Sequence, residues 1–279
     1  MGQYYRANQQ TNAFYSDLIY NYPILAREHM QLNYTIRGKE NGKKIVLVHG
    51  WAKAASIESL AKLQDELVEK DFHVWNIELP GFGKSKKAPD DWGTPEFAKE
   101  IAIFIKTKVL GDGGKEYYLF GHSFGGSIGA YISANLQPKP TKLILCSTAG
   151  LRYKTLKAWI LLPFAKILKI FLLVFPKGLR EKIRRNVYYY LIRERDYVDT
   201  ADKKEQFIKI TNQDLKETFK RIRIPTLIIW GKDDKITPLK MGEKINKLVD
   251  GSKLEVIEGK HGVPITRTGK VAGLINKFL

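Results

Sequence analysis

Between residues 44 and 146 short apolar runs alternate with stretches of helical periodicity. Lys44–Val48 is a β-branched run ending at His49-Gly50, and reads as a buried strand. Ile57–Val68 places Leu60, Leu63, Leu67 and Val68 at helical spacing, with Ser56 positioned to cap the helix. Phe72–Leu79 reads as a second strand, stopped by Pro80-Gly81. The next helix is expected over Thr94–Leu110, with Thr94 as its cap, Pro95 at the first position, and Phe97, Ile101, Phe104 and Ile105 as its apolar stripe. After a Gly111–Gly114 turn come a strand at Tyr117–Phe120, a helix at Phe124–Leu136 and a strand at Leu143–Cys146.

Continuous apolar strands joined by amphipathic helices point to a parallel sheet covered on both faces. The alternation breaks near Gly150. Leu151–Arg223 is helix-like and basic, with no convincing strand. Alternation resumes with strand Thr226–Trp230, helix Leu239–Leu248, strand Leu254–Ile257 and helix Thr268–Phe278. The pattern predicts one α/β domain, built from residues 1–150 and 224–279 and interrupted by a helical insertion over 151–223.

Composition narrows the class. The chain is 44% hydrophobic, too apolar for disorder, and its 23 Gly and 11 Pro in 279 residues are too few for a fibrous protein. A single cysteine excludes an internal disulfide and a cysteine-based zinc site, and suits a reducing compartment. The first 25 residues are polar and tyrosine-rich, without the apolar core of a secretory signal. The longest apolar stretch, Ala158–Phe175, is broken by Pro163, Lys166 and Lys169, whereas a spanning helix needs about 20 apolar residues. A soluble cytoplasmic protein is therefore expected. The net charge of +18 is the unusual figure, and admits nucleic acid, a membrane surface or anionic substrates as partners.

The chemistry is concentrated in Gly121-His122-Ser123-Phe124-Gly125, which follows a strand directly and opens a helix. That context is what a GxSxG nucleophile elbow requires: glycines leave room for a sharp turn that presents the serine hydroxyl at the carboxyl edge of the sheet. A serine hydroxyl needs a base, and the base needs an orienting acid. Of five histidines, His29, His49, His73, His122 and His261, only His261 lies downstream of Ser123, as the order Ser, acid, His demands. The acid is expected after strand Thr226–Trp230, where Asp233 and Asp234 are both available. Oxyanion donors are expected from the Phe124 N–H and, in the loop after the first strand, the Trp51 N–H. His49 reads as a residue that holds that loop by hydrogen bonds. Gly81-Phe-Gly-Lys-Ser85 is too short for a phosphate loop.

The ordered set His49-Gly-Trp51, Leu79-Pro-Gly-Phe-Gly-Lys-Ser85, Gly-His-Ser123-Phe-Gly-Gly126, Trp230-Gly-Lys-Asp-Asp-Lys-Ile-Thr-Pro238 and His261 resembles an α/β-hydrolase-fold serine hydrolase with a helical cap. The resemblance covers roughly residues 30–150 and 223–279. It implies a mostly parallel central sheet flanked by helices, a cap at 151–223, and Asp234 as the acid, four residues before the proline. Ser123 departs from epoxide hydrolases and haloalkane dehalogenases, whose nucleophile is aspartate. His49-Gly-Trp-Ala lacks the glycine run of HGGG-type esterases.

The charge is uneven. Residues 151–224 hold 19 Lys and Arg against 8 Asp and Glu, together with Trp159, Phe164, Phe171, Phe175 and Tyr188-Tyr189-Tyr190. A basic, aromatic insertion over a hydrolase site points to substrate access or weak docking on anionic membrane surfaces rather than to nucleic acid, for which no base-reading module is visible. Trp51, His122, Tyr153 and Trp159 are the expected substrate-binding residues. No cofactor and no metal are expected, and the chain is expected to be a monomer or dimer. The expected activity is hydrolysis of carboxylic esters with small to medium hydrophobic acyl groups, or of lactones. Carbon–carbon hydrolysis of β-diketones, acyl transfer, and a small-ligand receptor retaining the triad are the alternatives.

Overall fold

The apolar runs pair side by side because they have no solvent-facing side. The computed structural model describes residues 30–111, 113–152, 176, 178–180, 183 and 203–279. The first 25 residues, the apolar stretch Ala158–Phe175, and Tyr153 and Trp159 lie outside these. Leu32–Leu279 form one compact unit. Its described residues form seven strands, β1 (Tyr34–Arg37), β2 (Lys43–Val48), β3 (Phe72–Ile77), β4 (Tyr118–His122), β5 (Lys142–Cys146), β6 (Thr226–Gly231) and β7 (Lys253–Ile257). They lie in the order β1-β3-β2-β4-β5-β6-β7. All neighbours are parallel except β1, which runs antiparallel to β3. This is the mostly parallel sheet expected of an α/β hydrolase.

Alternating strand residues divide between two layers of helix. Ile45, Leu47, Val74, Phe120, Ile144 and Ile229 belong to one buried cluster with Leu60, Leu63 and Leu67 and with Val271, Ala272 and Ile275. The first three of these helical residues come from a 3₁₀ turn (Ile57–Leu60) and helix α1 (Ala61–Val68), the others from α8 (Thr268–Phe278). The opposite layer contains α2 (Thr94–Phe104), α3 (Phe124–Asn135), α5 (Lys216–Arg221) and α6 (Leu239–Leu248), packed against one another and the sheet. Two further helices among the described residues are α4 (Lys204–Asn212) and the single turn α7 (Val263–Thr266). Both α4 and α5 fall within the predicted insertion between β5 and β6.

The chain leaves β2 for β3 on one side and then crosses to β4 on the other. The order thus reverses between β2 and β4, and such a reversal opens a crevice outside the carboxyl ends of the two strands. His49-Gly50-Trp51 and Ser123 follow those two ends directly.

Three local expectations change. Thr94 does not cap α2: Gly93 takes that place, its N–H bound to Glu96 Oε2 at 2.8 Å, while the Thr94 N–H is taken by Gln213 Oε1 at 2.9 Å. The same helix loosens to π-type winding over Ile105–Leu110, where the Thr107 hydroxyl bonds back to the Ile103 carbonyl at 2.9 Å. Strand β1 is additional. It is a short, largely exposed edge whose Tyr34 stacks on Trp75, so burial left little apolar signature in its four residues. Among the described residues no helix is long and apolar enough to cross a membrane.

Trp230 at the end of β6 is fully buried, and its Nε1–H donates to the Thr237 carbonyl at 2.8 Å. Trp230→Phe removes that donor and strands the buried carbonyl. The expected loss is about 1–3 kcal/mol, to which incomplete filling of the ring site adds, read as a lower urea midpoint.

Candidate active site

The turn from β4 into α3 is possible only because side chains are missing from it. A Cβ on Gly121 would lie 2.3 Å from the Gly125 carbonyl oxygen, and one on Gly125 would lie 2.2 Å from the Val48 carbonyl oxygen. Ser123, between them, has φ 53° and ψ −115°, a conformation L-residues rarely adopt and that costs about 1–3 kcal/mol. Its backbone is tied on both sides: its N–H donates to the Cys146 carbonyl at 3.0 Å, and its own carbonyl accepts from Ala149 N–H at 3.1 Å. The end of β5 therefore holds the strained residue in place.

The loops after β6 and β7 meet at the same edge. In the first, Asp234 N–H folds back to the Gly231 carbonyl and Asp233 N–H reaches the Gly259 carbonyl. This turn leaves the Asp233 side chain exposed and buries Asp234. Asp234 Oδ2 lies 2.8 Å from His261 Nδ1, and Oδ1 accepts from the Ile236 and Thr237 N–H groups at 2.9 Å each. Burial by itself would push the Asp234 pKa up. The bonds from His261 and Thr237 outweigh it and hold the carboxyl below its usual range.

His122, beside Ser123, donates from Nε2 to the His261 carbonyl at 3.0 Å, and the two rings lie 5.0 Å apart. Burial, with His261 adjacent, depresses the His122 pKa to about 3, so the ring is neutral. The structure thus brings Ser123, His122, His261 and Asp234 together. Among the described residues no hydrogen bond joins Ser123 Oγ to His261; such bonds commonly tighten only when substrate is bound.

His49 closes the other side of the crevice. Its Nε2 accepts the Leu79 N–H at 3.0 Å, which places its proton on Nδ1, 2.8 Å from the Gly50 carbonyl. Complete burial lowers its pKa to about 4. It is a brace between the β2 and β3 loops. The Trp51 and Phe124 N–H groups have no partner among the described residues, and Phe124 opens a helix whose free N–H groups face the sheet edge. The Trp51 ring is 7% exposed, packed edge-on against Phe82, Phe97 and Phe124 and tilted on Phe207 of α4.

Glu78 is a loop-organising residue that sequence reading misses. It is a buried carboxylate at the end of β3 that gathers the N–H groups of Ile57, Lys84 and Ser85 and the Asn33 amide. Burial pushes its pKa up, and these four donors outweigh that and lower it. The only sequence sign was an acidic residue directly after a strand that ends in Trp75-Asn76-Ile77.

The return leg of the insertion grips the neighbouring loop through main-chain atoms. Lys203 donates to the Gly81 carbonyl, Gln206 to that of Pro89 at 2.8 Å and Lys209 to that of Asp91, while Gln213 accepts from Thr94 N–H. Lys203 Nζ also stands 4.0 Å above the Phe82 ring centroid.

Comparison with known proteins agrees with this architecture. A family model described as serine aminopeptidase, S33, matches residues 39–261. Monoacylglycerol lipase ABHD6 of Mus musculus is 28% identical over 276 residues, covering 90% of this chain and 80% of the relative. Two solved structures share the fold. One is a lipase-esterase related protein from Clostridium acetobutylicum ATCC 824, with TM-score 0.66, 24% identity, and 89% of this chain and 99% of that one covered. The other is the enol-lactonase from Burkholderia xenovorans LB400, with TM-score 0.65, 21% identity, and 89% and 96% covered.

The neutral buried histidines set a pH dependence of stability. In the unfolded chain each takes up a proton near pH 6.5, whereas folded His49 and His122 resist protonation down to about 4 and about 3. The unfolded state then binds more protons, so stability falls as pH drops from about 6.5 to about 4. Glu78 and Asp234 add a loss in the same direction at lower pH, as their depressed carboxyls are protonated. Urea midpoints across this range check the decline. His49→Gln is expected to lessen the slope by up to one proton's worth, about 1.4 kcal/mol per pH unit.

Proposed function

The chain belongs to the serine aminopeptidase S33 family of α/β hydrolases, and from that premise we propose that it is a cofactor-independent serine hydrolase of carboxylic esters with hydrophobic acyl groups. The observation that carries this reading is the Asp234–His261 pair, 2.8 Å apart, on the sheet edge that also bears the strained Ser123. Ser123 Oγ attacks the ester carbonyl while His261 Nε2 takes its proton, and Asp234 holds the opposite ring nitrogen. The oxyanion is received by the N–H groups of Trp51 and Phe124, each worth about 10²–10³ in rate. His261 returns the proton to the leaving alcohol. Water, activated by the same ring, then cleaves the acyl-enzyme and frees the acid.

The preference for an apolar acyl group is supported by the packed rings of Trp51, Phe82, Phe97, Phe124 and Phe207, a cluster that includes both residues whose N–H groups receive the oxyanion. Similarity to a protein named monoacylglycerol lipase supports a fatty acyl ester of a small alcohol. His122, bound to the His261 carbonyl, serves the histidine loop more directly than the substrate.

A series of p-nitrophenyl esters of increasing chain length tests the reading. Turnover that rises with acyl length and is abolished in Ser123→Ala is expected. Tight ligand binding without turnover would instead make the chain a receptor, and faster cleavage of lactones or β-diketones would move the reaction class. The acid is tested separately. Asp234→Asn is expected to lower kcat by on the order of 10⁴, as loss of the orienting carboxylate does in serine hydrolases, with Asp233→Asn close to the parent. The reverse ranking would reassign the acid.

A further inference from the structure

Thr237 lies three residues beyond Asp234 and is almost fully buried. Its hydroxyl oxygen is 2.8 Å from Asp234 Oδ2, 3.1 Å from the Ser147 carbonyl oxygen and 3.1 Å from His261 Nδ1. A hydroxyl has one proton to give, and both the Asp234 carboxylate and the Ser147 carbonyl can only accept. Toward His261, whose Nδ1–H is directed at Asp234, the Thr237 oxygen is an acceptor. This one group therefore stands where the ends of β5, β6 and β7 converge. Ser147 follows Cys146, the residue whose carbonyl holds the Ser123 N–H. Ser147 itself has φ 43°, a left-handed backbone that fixes where its carbonyl points.

The main-chain bonds to Asp234 all fall on Oδ1. They anchor one oxygen and leave the carboxylate free to turn about its broad terminal torsion. The Thr237 hydroxyl supplies the second anchor, on Oδ2. We propose that Thr237 is a positioning residue of this site: its hydroxyl proton, given to Oδ2 at the shorter of the two distances, fixes the Asp234 carboxylate so that Oδ2 faces His261. The inference rests on reading Ser123, His261 and Asp234 as a working triad.

Thr237→Val keeps the shape and deletes the hydroxyl, and Thr237→Ser restores it. With a p-nitrophenyl ester, the Val variant is expected to lose about tenfold in kcat at unchanged KM, while the Ser variant stays within about twofold of the parent. A Val variant with parental kcat, or a Ser variant as impaired as Val, overturns the proposal. A second readout does not depend on turnover: the downfield proton resonance of His261 Nδ1–H. It is expected to be sharp in the parent and in Thr237→Ser and broadened in the Val variant; an unchanged resonance in the Val variant overturns the proposal. If the Val variant does not fold, Thr237→Ala serves in both measurements. A parent without ester turnover whose resonance still responds to Thr237 would refute the ester reading alone.

Discussion

The carboxyl edge of the sheet depends on one close approach between backbones. The β4–α3 turn presses against the carbonyls of Val48 and His49 at the end of β2, at distances that exclude any side chain at Gly125. That approach places Ser123 in a strained conformation and brings Phe124 to the start of a helix directly beside Trp51. It also requires the end of β5 to supply the carbonyl that accepts the Ser123 N–H. Neighbouring strands are thus committed to the turn. Close packing transmits such a constraint rather than absorbing it.

Two buried carboxylates organise the loops around this point, and they do so by the same chemistry. Glu78 and Asp234 each accept several N–H donors, so each remains ionised against the cost of burial. Their uses differ. Glu78 spends all its contacts on amides and shapes the β3 loop, whereas Asp234 keeps one oxygen for His261 and Thr237. His49 repeats the structural role with a neutral ring, bridging the β2 and β3 loops.

Much of the sheet was legible because strands buried on both faces must be continuously apolar, and β2, β4, β5 and β6 are so within a residue or two of expectation. Strand β1 was not, since an exposed edge needs no such run. At the site, Ser123 was marked by its glycines and His261 by chain order. Strand position alone could not separate Asp233 from Asp234, and only the resemblance pointed to the second. The turn that separates them is set by backbone bonds to Gly231 and Gly259, the second of them 26 residues away. Glu78 and Thr237 were equally invisible, because their partners are mostly main-chain atoms or residues distant in the chain. Thr94 misled for a related reason: Gln213, more than a hundred residues later, takes the N–H a local rule would assign elsewhere.

The grip of Lys203, Gln206, Lys209 and Gln213 on the 81–94 loop has an evolutionary consequence. Each of these side chains recognises a carbonyl or an N–H, groups that every residue type supplies except for the missing N–H of proline. Mutations that recolour the loop's outward surface leave the clasp unaffected. Selectivity at the mouth of the crevice can therefore drift between lineages while the docking of this helix stays fixed.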